Sequence, residues 1–304
     1  MCNFILYVNL AAATSLVFFY KILRGDEVAY EHATYQNYGE VVQLEPDQLT
    51  YIAHQAWKNI AGAGAGKRLE NTKDATTLGP NIHGDFTMGA IYDTASHRAR
   101  RRIYAPAFSD RAFKQQEPLF LDYLNSLIKI IKEMATNEPD TGMDISKCLN
   151  FLAFDVMADL TFGEPLGLLE KSEYTPWIAS IFGRLLFMSI GCVARECKLF
   201  AKLLAVIMPK QATQKAHKHY NNSANQVEKR LARRIDTEKP EIWKLVLKKN
   251  ENGTPSLSKH EMTADAASLI FAGTETSTTI VSGLVYLLLK NPQKCNDFSP
   301  KYAR

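Results

Sequence analysis

Seven consecutive residues, Gly273 to Thr279, read Gly-Thr-Glu-Thr-Ser-Thr-Thr within the very apolar stretch Ser268 to Lys290. Four of the seven are threonines, whose branching at Cβ restricts χ1 and lowers helix propensity. The apolar flanks still predict one long helix. Within it Ala272, Gly273 and Thr276 stand at i, i+1 and i+4, and so are expected to share a face. Two small residues there would admit something bulky and flat to the backbone, with the Thr276 hydroxyl beside it. Glu275 follows close round the helix. A carboxylate next to a hydroxyl suits proton delivery to a bound species. Burying a carboxylate without such a task is costly. The spacing alone equally fits a core or transmembrane helix whose polar residues face a partner helix.

A second group lies in "HRARRRIYAPAF", where His97 and Arg101 are at i, i+4 and share a helix face. An imidazole beside a guanidinium suits a carboxylate partner. Arg98 and Arg102 in the same run read as a solvated basic face. The net charge of +4, from 36 basic and 32 acidic residues, gives no case for nucleic acid as a partner.

Several elements must position these residues. Glu27 to Tyr38 reads as a short helix closed by Gly39, and "EVVQLEPDQLTYI" as a strand-like run turned at Pro46-Asp47. Gln55 to Gly89 is rich in glycine and proline, which predicts mostly loop with one short helix. The helix carrying His97 should end or bend at Pro106. Asp110 to Met134 has apolar residues at helical spacing. Met143 to Gly163 is apolar nearly all round, which places that helix inside the protein. Trp177 to Met208 reads as apolar helix, and the polar run from His217 to Glu238 as a surface helix. Ser258 with Glu261 three residues on forms a capping box for the last long helix. The pattern is a mainly α single domain with a minor β component near the N-terminus.

Other signals are weaker. "AGAGAGKR", Ala61 to Arg68, lacks the terminal Gly and Ser/Thr of a phosphate loop and reads as a flexible loop. His217 and His219 at i, i+2 do not share a helix face. The five cysteines form no CxxC pair, and Cys192 and Cys197 read as small buried residues. Phe4 to Leu23 carries no charge before Lys21 and has the length of a bilayer span. It reads either as a membrane anchor or as a buried or surface-lying amphipathic segment. A two-span membrane protein using Phe4–Leu23 and Ala267–Leu289 is a further reading, which release by carbonate extraction would exclude.

The run Ala272 to Ser277, "AGTETS", resembles the oxygen-binding helix of the cytochrome P-450 family of heme-thiolate monooxygenases, whose motif is Ala/Gly-Gly-x-Asp/Glu-Thr-Thr/Ser. "HRARRRIYAPAFSDRAFKQQEPLF" is similar to the family's third helix, with an aromatic or His four residues before an Arg. "LAAATSLVFFYKILRG", "YGEVVQLEPDQLTY" and "FDVMADLTFGEP" resemble further family segments, so the similarity runs from Leu10 to Lys294. The pattern is similar to fungal enzymes of secondary metabolism, including mycotoxin oxygenases. The resemblance implies a heme cofactor, with NADPH-derived electrons arriving through a reductase. It implies catalytic roles in proton delivery for Thr276 and Glu275, room over the heme at Ala272 and Gly273, and heme propionates held by His97 and Arg101. Residues Phe86 to Ile91 would line the substrate side. The partners implied are the reductase, a small apolar substrate that is hydroxylated or epoxidised, and a membrane surface. The implied location is the cytosolic face of the endoplasmic reticulum membrane.

Two departures matter. Met1 to Asn9 replaces the anchor and Pro-Gly-Pro hinge that usually precede this region. After "LLLKNPQK" the sequence turns to "CNDFSPKYAR". No Glu is followed three residues later by Arg, and no cysteine sits in the glycine-bearing loop that supplies the iron's thiolate. Without that thiolate, cleavage of the O–O bond is not favoured. The expected organisation is an apolar segment over residues 1–23, a partial cytochrome P-450 domain over 24–294 and an aberrant tail over 295–304. The expected fold is the family's, truncated after the oxygen-binding helix, whose apolar face would then be left bare. The rival to a working monooxygenase is an inactive remnant of one.

Overall fold

The computed structural model describes residues 6–7, 11, 13–62, 71–81, 83–137, 140, 142–175, 178, 188–207, 210–233, 242–246 and 256–295. The chain divides into two compact units. One comprises Met1–Gly79, Ala90–His97 and Gly183–Lys210; the other comprises Pro80–Gly89, Arg98–Phe182 and Gln211–Arg304.

In the first unit two helices precede a small sheet. Helix α1, Leu16–Arg24, stops at Gly25 in the left-handed region (φ 72°), which glycine adopts without steric cost. Helix α2, Glu27–Tyr38, follows directly and ends at Gly39. The sheet has the order β1 (Leu6–Tyr7), β2 (Val41–Glu45), β3 (Gln48–Tyr51). Strands β2 and β3 form an antiparallel hairpin with Val42 opposite Thr50, turned at Pro46-Asp47 as its sequence predicts. Gln43 Nε2 donates to the Pro46 carbonyl at 2.6 Å and braces the turn. Val42, Leu44 and Phe18 form a small core under Ile22, Tyr30, Tyr35 and Tyr38.

Among the described residues of the apolar N-terminal stretch, Leu6–Tyr7 form a strand and the α-helix begins at Leu16; Phe4 lies outside the described residues. The nine residues of α1 extend about 14 Å, against the ~30 Å of a bilayer core. Among the described residues, no helix is long and apolar enough to cross a membrane. The apolar region expected as helix from Trp177 to Met208 is interrupted at Cys197, between a helical segment ending at residue 196 and the helix Lys198–Ile207. Trp177 and Met208 themselves lie outside the described residues. Cys192 and Cys197 are half-buried rather than buried. Most of the Ala61–Arg68 loop is likewise outside the described residues.

Helix α3, Thr94–Tyr104, begins in the first unit and continues into the second. A single 3-10 turn containing Pro106 ends it, because proline has no N–H to continue the ladder. Helix α4, Asp110–Asn137, then runs 28 residues.

The second unit is built round α5, Ile145–Phe162. Asp144 caps its start by accepting from the Lys147 N–H at 3.0 Å, and Gly163 closes it at φ 75°. Nine of its 18 residues are buried, as an all-round apolar helix requires. Phe151, Phe154 and Phe162 pack with Leu127, Trp243 and Ile270. The two buried aspartates of α5 have structural partners. Asp155 accepts the N–H groups of Leu166, Leu168 and Leu169 at 2.8–3.1 Å, folding the chain back after Gly163. Asp159 accepts from the Tyr123 hydroxyl of α4 at 2.9 Å. Helix α6, Lys210–Ala232, precedes α7, Lys259–Lys290, whose Ser258–Glu261 capping box is fully formed.

At the end of β2, Glu45 is only 4% exposed. Burial pushes its carboxyl up to about 7; the Glu196 charge adds to this, and the Ser15 hydroxyl opposes it. The folded state therefore binds this proton more tightly than the unfolded chain does. The stability it confers is present below the ordinary value of 4.5 and falls as pH rises towards 7. Glu45→Gln should raise the urea midpoint of unfolding at pH 8 and leave it nearly unchanged at pH 4. Equal midpoint shifts at both pH values would refute this assignment.

Candidate active site

Helix α7 meets three different surroundings. Ile270, Thr274 and Thr278 are buried, one turn apart, against the core. Ala272, Thr276, Ile280 and Leu287 follow the same spacing on a face that is exposed. Glu275, Thr278, Thr279 and Ser282 border a polar cavity shared with Asn150 of α5.

Three of the four threonines place their hydroxyls on carbonyls within the helix. Thr274 Oγ1 donates to the Ile270 carbonyl at 2.7 Å, Thr276 Oγ1 to Ala272 at 2.7 Å, and Thr279 Oγ1 to Glu275 at 2.8 Å. Each bond reaches back one turn.

The structure separates Ala272 from Gly273. A Cβ on Gly273 would lie 2.6 Å from both Sδ and Cε of Met157, so the flexible end of this α5 side chain occupies the space beside the glycine. Successive residues stand about 100° apart on a helix, so Gly273 faces α5 while Ala272 and Thr276 face outward. Gly273 and Thr276, at i and i+3, remain neighbours on the helix, with the Met157 side chain standing against the glycine.

Glu275 is half-buried beside Asn150. Burial pushes its carboxyl above the ordinary value, and the Asn150 side chain opposes this by hydrogen-bonding the charged form. The acid and the Thr276 hydroxyl thus occupy adjacent faces, one towards the polar cavity and one towards the open side.

On α3, His97 is half-buried and Arg101 is exposed. Arg100, between them, is 8% exposed and donates to Asp265 of α7 at 2.8 Å. It also pairs with Glu261. Asp265 further accepts from the Tyr104 hydroxyl at 3.0 Å and the Met88 N–H at 2.6 Å. Burial raises the Asp265 carboxyl and the Tyr104 hydroxyl. At Glu261, burial is outweighed by the Ser258 hydrogen bonds and Arg100, which hold it low.

Sequence reasoning missed this cluster. Its signals were two i, i+4 pairs, Arg100 with Tyr104 and Glu261 with Asp265, but nothing local says that the pairs meet. The Met88 contact also fixes the 3-10 turn Met88–Ala90, within the Phe86–Ile91 segment assigned to the substrate side.

The cytochrome P450 family model matches residues 24–296. The chain belongs to the cytochrome P450 family. Curated relatives include the cytochrome P450 monooxygenase efuB of Hormonema carpetanum, 38% identical over 284 residues, covering 93% of this chain and 56% of that protein. FUM2 of Gibberella moniliformis is 37% identical, covering 94% of this chain and 60% of its own length. AMT3 of Alternaria alternata is 36% identical, with 93% and 57% covered. A solved cytochrome P450, CYP102L1, shares the fold at a TM-score of 0.64 and 16% identity, covering 86% of this chain and 55% of that structure. The chain thus spans a little over half the length of the relatives it matches.

The family implies heme, and the exposed face of α7 fits such a group. Ala272 and Thr276 continue into a bare apolar strip at Ile280, Leu284 and Leu287, from 45% exposed at Leu284 to 71% at Ile280. Isolated apolar residues on a surface are ordinary; a contiguous strip on one helix marks a face made for covering. The small side chain of Ala272 leaves space at the point where the Thr276 hydroxyl is presented. Arg101 supplies an exposed cation for carboxylates. The thiolate has no counterpart: among described cysteines, Cys148, Cys192 and Cys197 are half-buried and Cys295 is exposed, and none lies in a ligand loop.

Arg100→Met should cost about 3–5 kcal/mol of unfolding free energy, since it strands Asp265 as an uncompensated buried charge. Adding Asp265→Asn should restore most of that loss. A urea double-mutant cycle giving additive losses would show that the pair is not coupled.

Proposed function

We propose that this chain is the N-terminal and central part of a fungal monooxygenase that hydroxylates or epoxidises a small apolar secondary metabolite. The observation that carries this reading is the Ala272–Ser277 motif, placed with Thr276 on the open face of α7 and Glu275 turned into a polar cavity. Membership of the family and relatives described as monooxygenases support it. In this reading the electrons come from NADPH through a reductase at the cytosolic face of the endoplasmic reticulum. The oxygenase itself needs an axial thiolate, which none of the five cysteines here supplies.

Heme, when bound, supplies the redox chemistry that activates oxygen. The protein's part is positional and electrostatic. Arg101 and His97, one turn apart on α3, would hold propionates by charge-assisted hydrogen bonds. Ala272 keeps the space beside the backbone open. Thr276 Oγ1 spends its proton on the Ala272 carbonyl and leaves its lone pairs towards the open face. It can therefore accept a hydrogen bond there, and donate when the bond to Ala272 is released. Glu275 is the exchangeable group of the pair; burial raises its carboxyl above the ordinary value, which suits an acid that takes up and releases a proton. The segment at Phe86 to Ile91 would bear on the substrate, its turn pinned through Met88 to Asp265.

Hemin titration of the purified 304-residue chain tests the binding part. We expect saturable uptake, weakened about tenfold by Arg101→Glu, as loss of one charged hydrogen bond implies. Uptake unchanged by that substitution would remove Arg101 from the site. The catalytic part is tested in a chimaera that continues after Lys290 with the corresponding remainder of the Hormonema carpetanum relative. Thr276→Ala in that background should lower product formation about 10²-fold while leaving heme content unchanged. Equal turnover would exclude the proton role of Thr276.

A further inference from the structure

Strand β2 of the first unit ends on an acid that the fold covers. Glu45 is only 4% exposed, at the irregularity where the β2–β3 register shifts between Gln43 and Glu45. Three groups from other parts of the unit act on it: the Ser15 hydroxyl just before α1, Asp47 in the hairpin turn, and Glu196 at the end of the helical segment 188–196. Two of the three are themselves acids. Arg195, the cation next to Glu196, is engaged elsewhere. Its guanidinium donates to the Thr76 and Thr77 carbonyls at 2.5 Å each. Gly79 and Gly191 leave room for it, since a Cβ on either would come within 3.1–3.2 Å of the arginine side chain. Asp74 accepts from the Thr76 N–H and hydroxyl at 2.7 Å each and braces that turn. Arg195 thus clamps the turn at 74–79 to segment 188–196, and Glu196 is the end of that piece which bears on Glu45.

A buried carboxyl facing other acids keeps its cover only while it holds a proton. Burial pushes Glu45 up to about 7; the Glu196 charge and then Asp47 add to this, and the Ser15 hydroxyl opposes it. Glu196 is raised by its own burial, with Asp74 and Asp47 adding to it and the Cys192 thiol and Arg195 opposing. Cys192 Sγ lies 3.8 Å from Glu196 Oε1, one turn back on the same helix. Of the charged groups named, Arg195 is the cation, and it is committed to the turn.

We infer that Glu45 and Glu196 form a proton-operated latch, which holds segment 188–196 and its Arg195-clamped turn against β2 while Glu45 is neutral and releases them when it ionises. The inference stands apart from the oxygenase reading, because it uses none of the residues given roles there. The bond that breaks is the O–H of the Glu45 carboxyl, and its proton passes to solvent water. The sign follows from linkage. The closed state binds this proton more tightly than the open state, in which an exposed glutamate returns to its ordinary value of 4.5. The latch is at full strength below pH 4.5, weakens as pH rises, and is lost above 7. Between about pH 4.5 and about pH 7.5 the opening equilibrium should rise about 10²-fold.

Native-state hydrogen exchange of the full chain at the two ends of that range tests this, with each rate divided by the intrinsic rate for its pH. The reporters are the amides of residues 192–197, among which the Cys197 N–H donates to the Val193 carbonyl at 2.8 Å. The amides of α2, in the same unit, are the reference. The reporters should lose about 10²-fold of protection as pH rises, while α2 loses far less. Glu45→Gln should abolish that pH dependence. Glu196→Gln, a change at an exposed position, should reduce it about threefold, as removal of one facing charge implies. This second variant carries the test if Glu45→Gln does not fold. Protection that is independent of pH, or that falls equally in α2, would overturn the latch. So would a pH dependence that survives Glu45→Gln in the folded variant, or one that Glu196→Gln leaves unchanged.

Discussion

Helix α7 has to satisfy three environments along 32 residues, and its packing on α5 is the constraint from which the rest of the second unit follows. At Gly273 the two helices approach so closely that Met157 takes the space of a side chain. With α7 packed on α5 in this rotation, Thr274 points into the core, Ala272 and Thr276 point out, and Glu275 and Thr278 border the cavity shared with Asn150. A side chain at position 273 would displace Met157 or turn the helix, and turning the helix would move the acid and the hydroxyl together.

The Arg100 cluster fixes α3 at the other end of α7. Its cost is the desolvation of a guanidinium and a carboxylate, and the geometry shows how that cost is met. Asp265 accepts from Arg100, Tyr104 and the Met88 backbone, so the buried charge is surrounded by donors. A buried pair of this kind contributes modestly to net stability but defines register, because a slip of one residue would leave each charge unmatched. It links the helix bearing Arg101, the helix bearing Thr276 and the turn at Met88.

Beyond these two anchors α7 changes character. Its first half is held by core packing and the ion cluster, and its second half exposes an apolar strip. The polar cavity lies where the change occurs, at the level of Glu275. The half-buried Glu275 there has protein on one side and the open face on the other.

Much of this was legible in the sequence, for identifiable reasons. Local signals with a direct stereochemical meaning were recovered in place: the Ser258–Glu261 capping box, the glycines closing α2 and α5, the Pro46-Asp47 turn and the stop at Pro106. The motif from Ala272 to Ser277 and the His97–Arg101 pair gave the family. What remained hidden depended on rotation and distance. Sequence spacing treats i and i+1 as near neighbours on a helix, but about 100° of rotation is enough to send Gly273 into Met157 and leave Ala272 outside. Nor could local chemistry pair Arg100 with Asp265, 165 residues away, or bring Asn150 to Glu275. The sequence by itself determined which segments would be helices, where they would end and which residues could carry protons. Only the tertiary structure decided which face each of those residues would occupy, because the orientation of a helix is set by the partner it packs against.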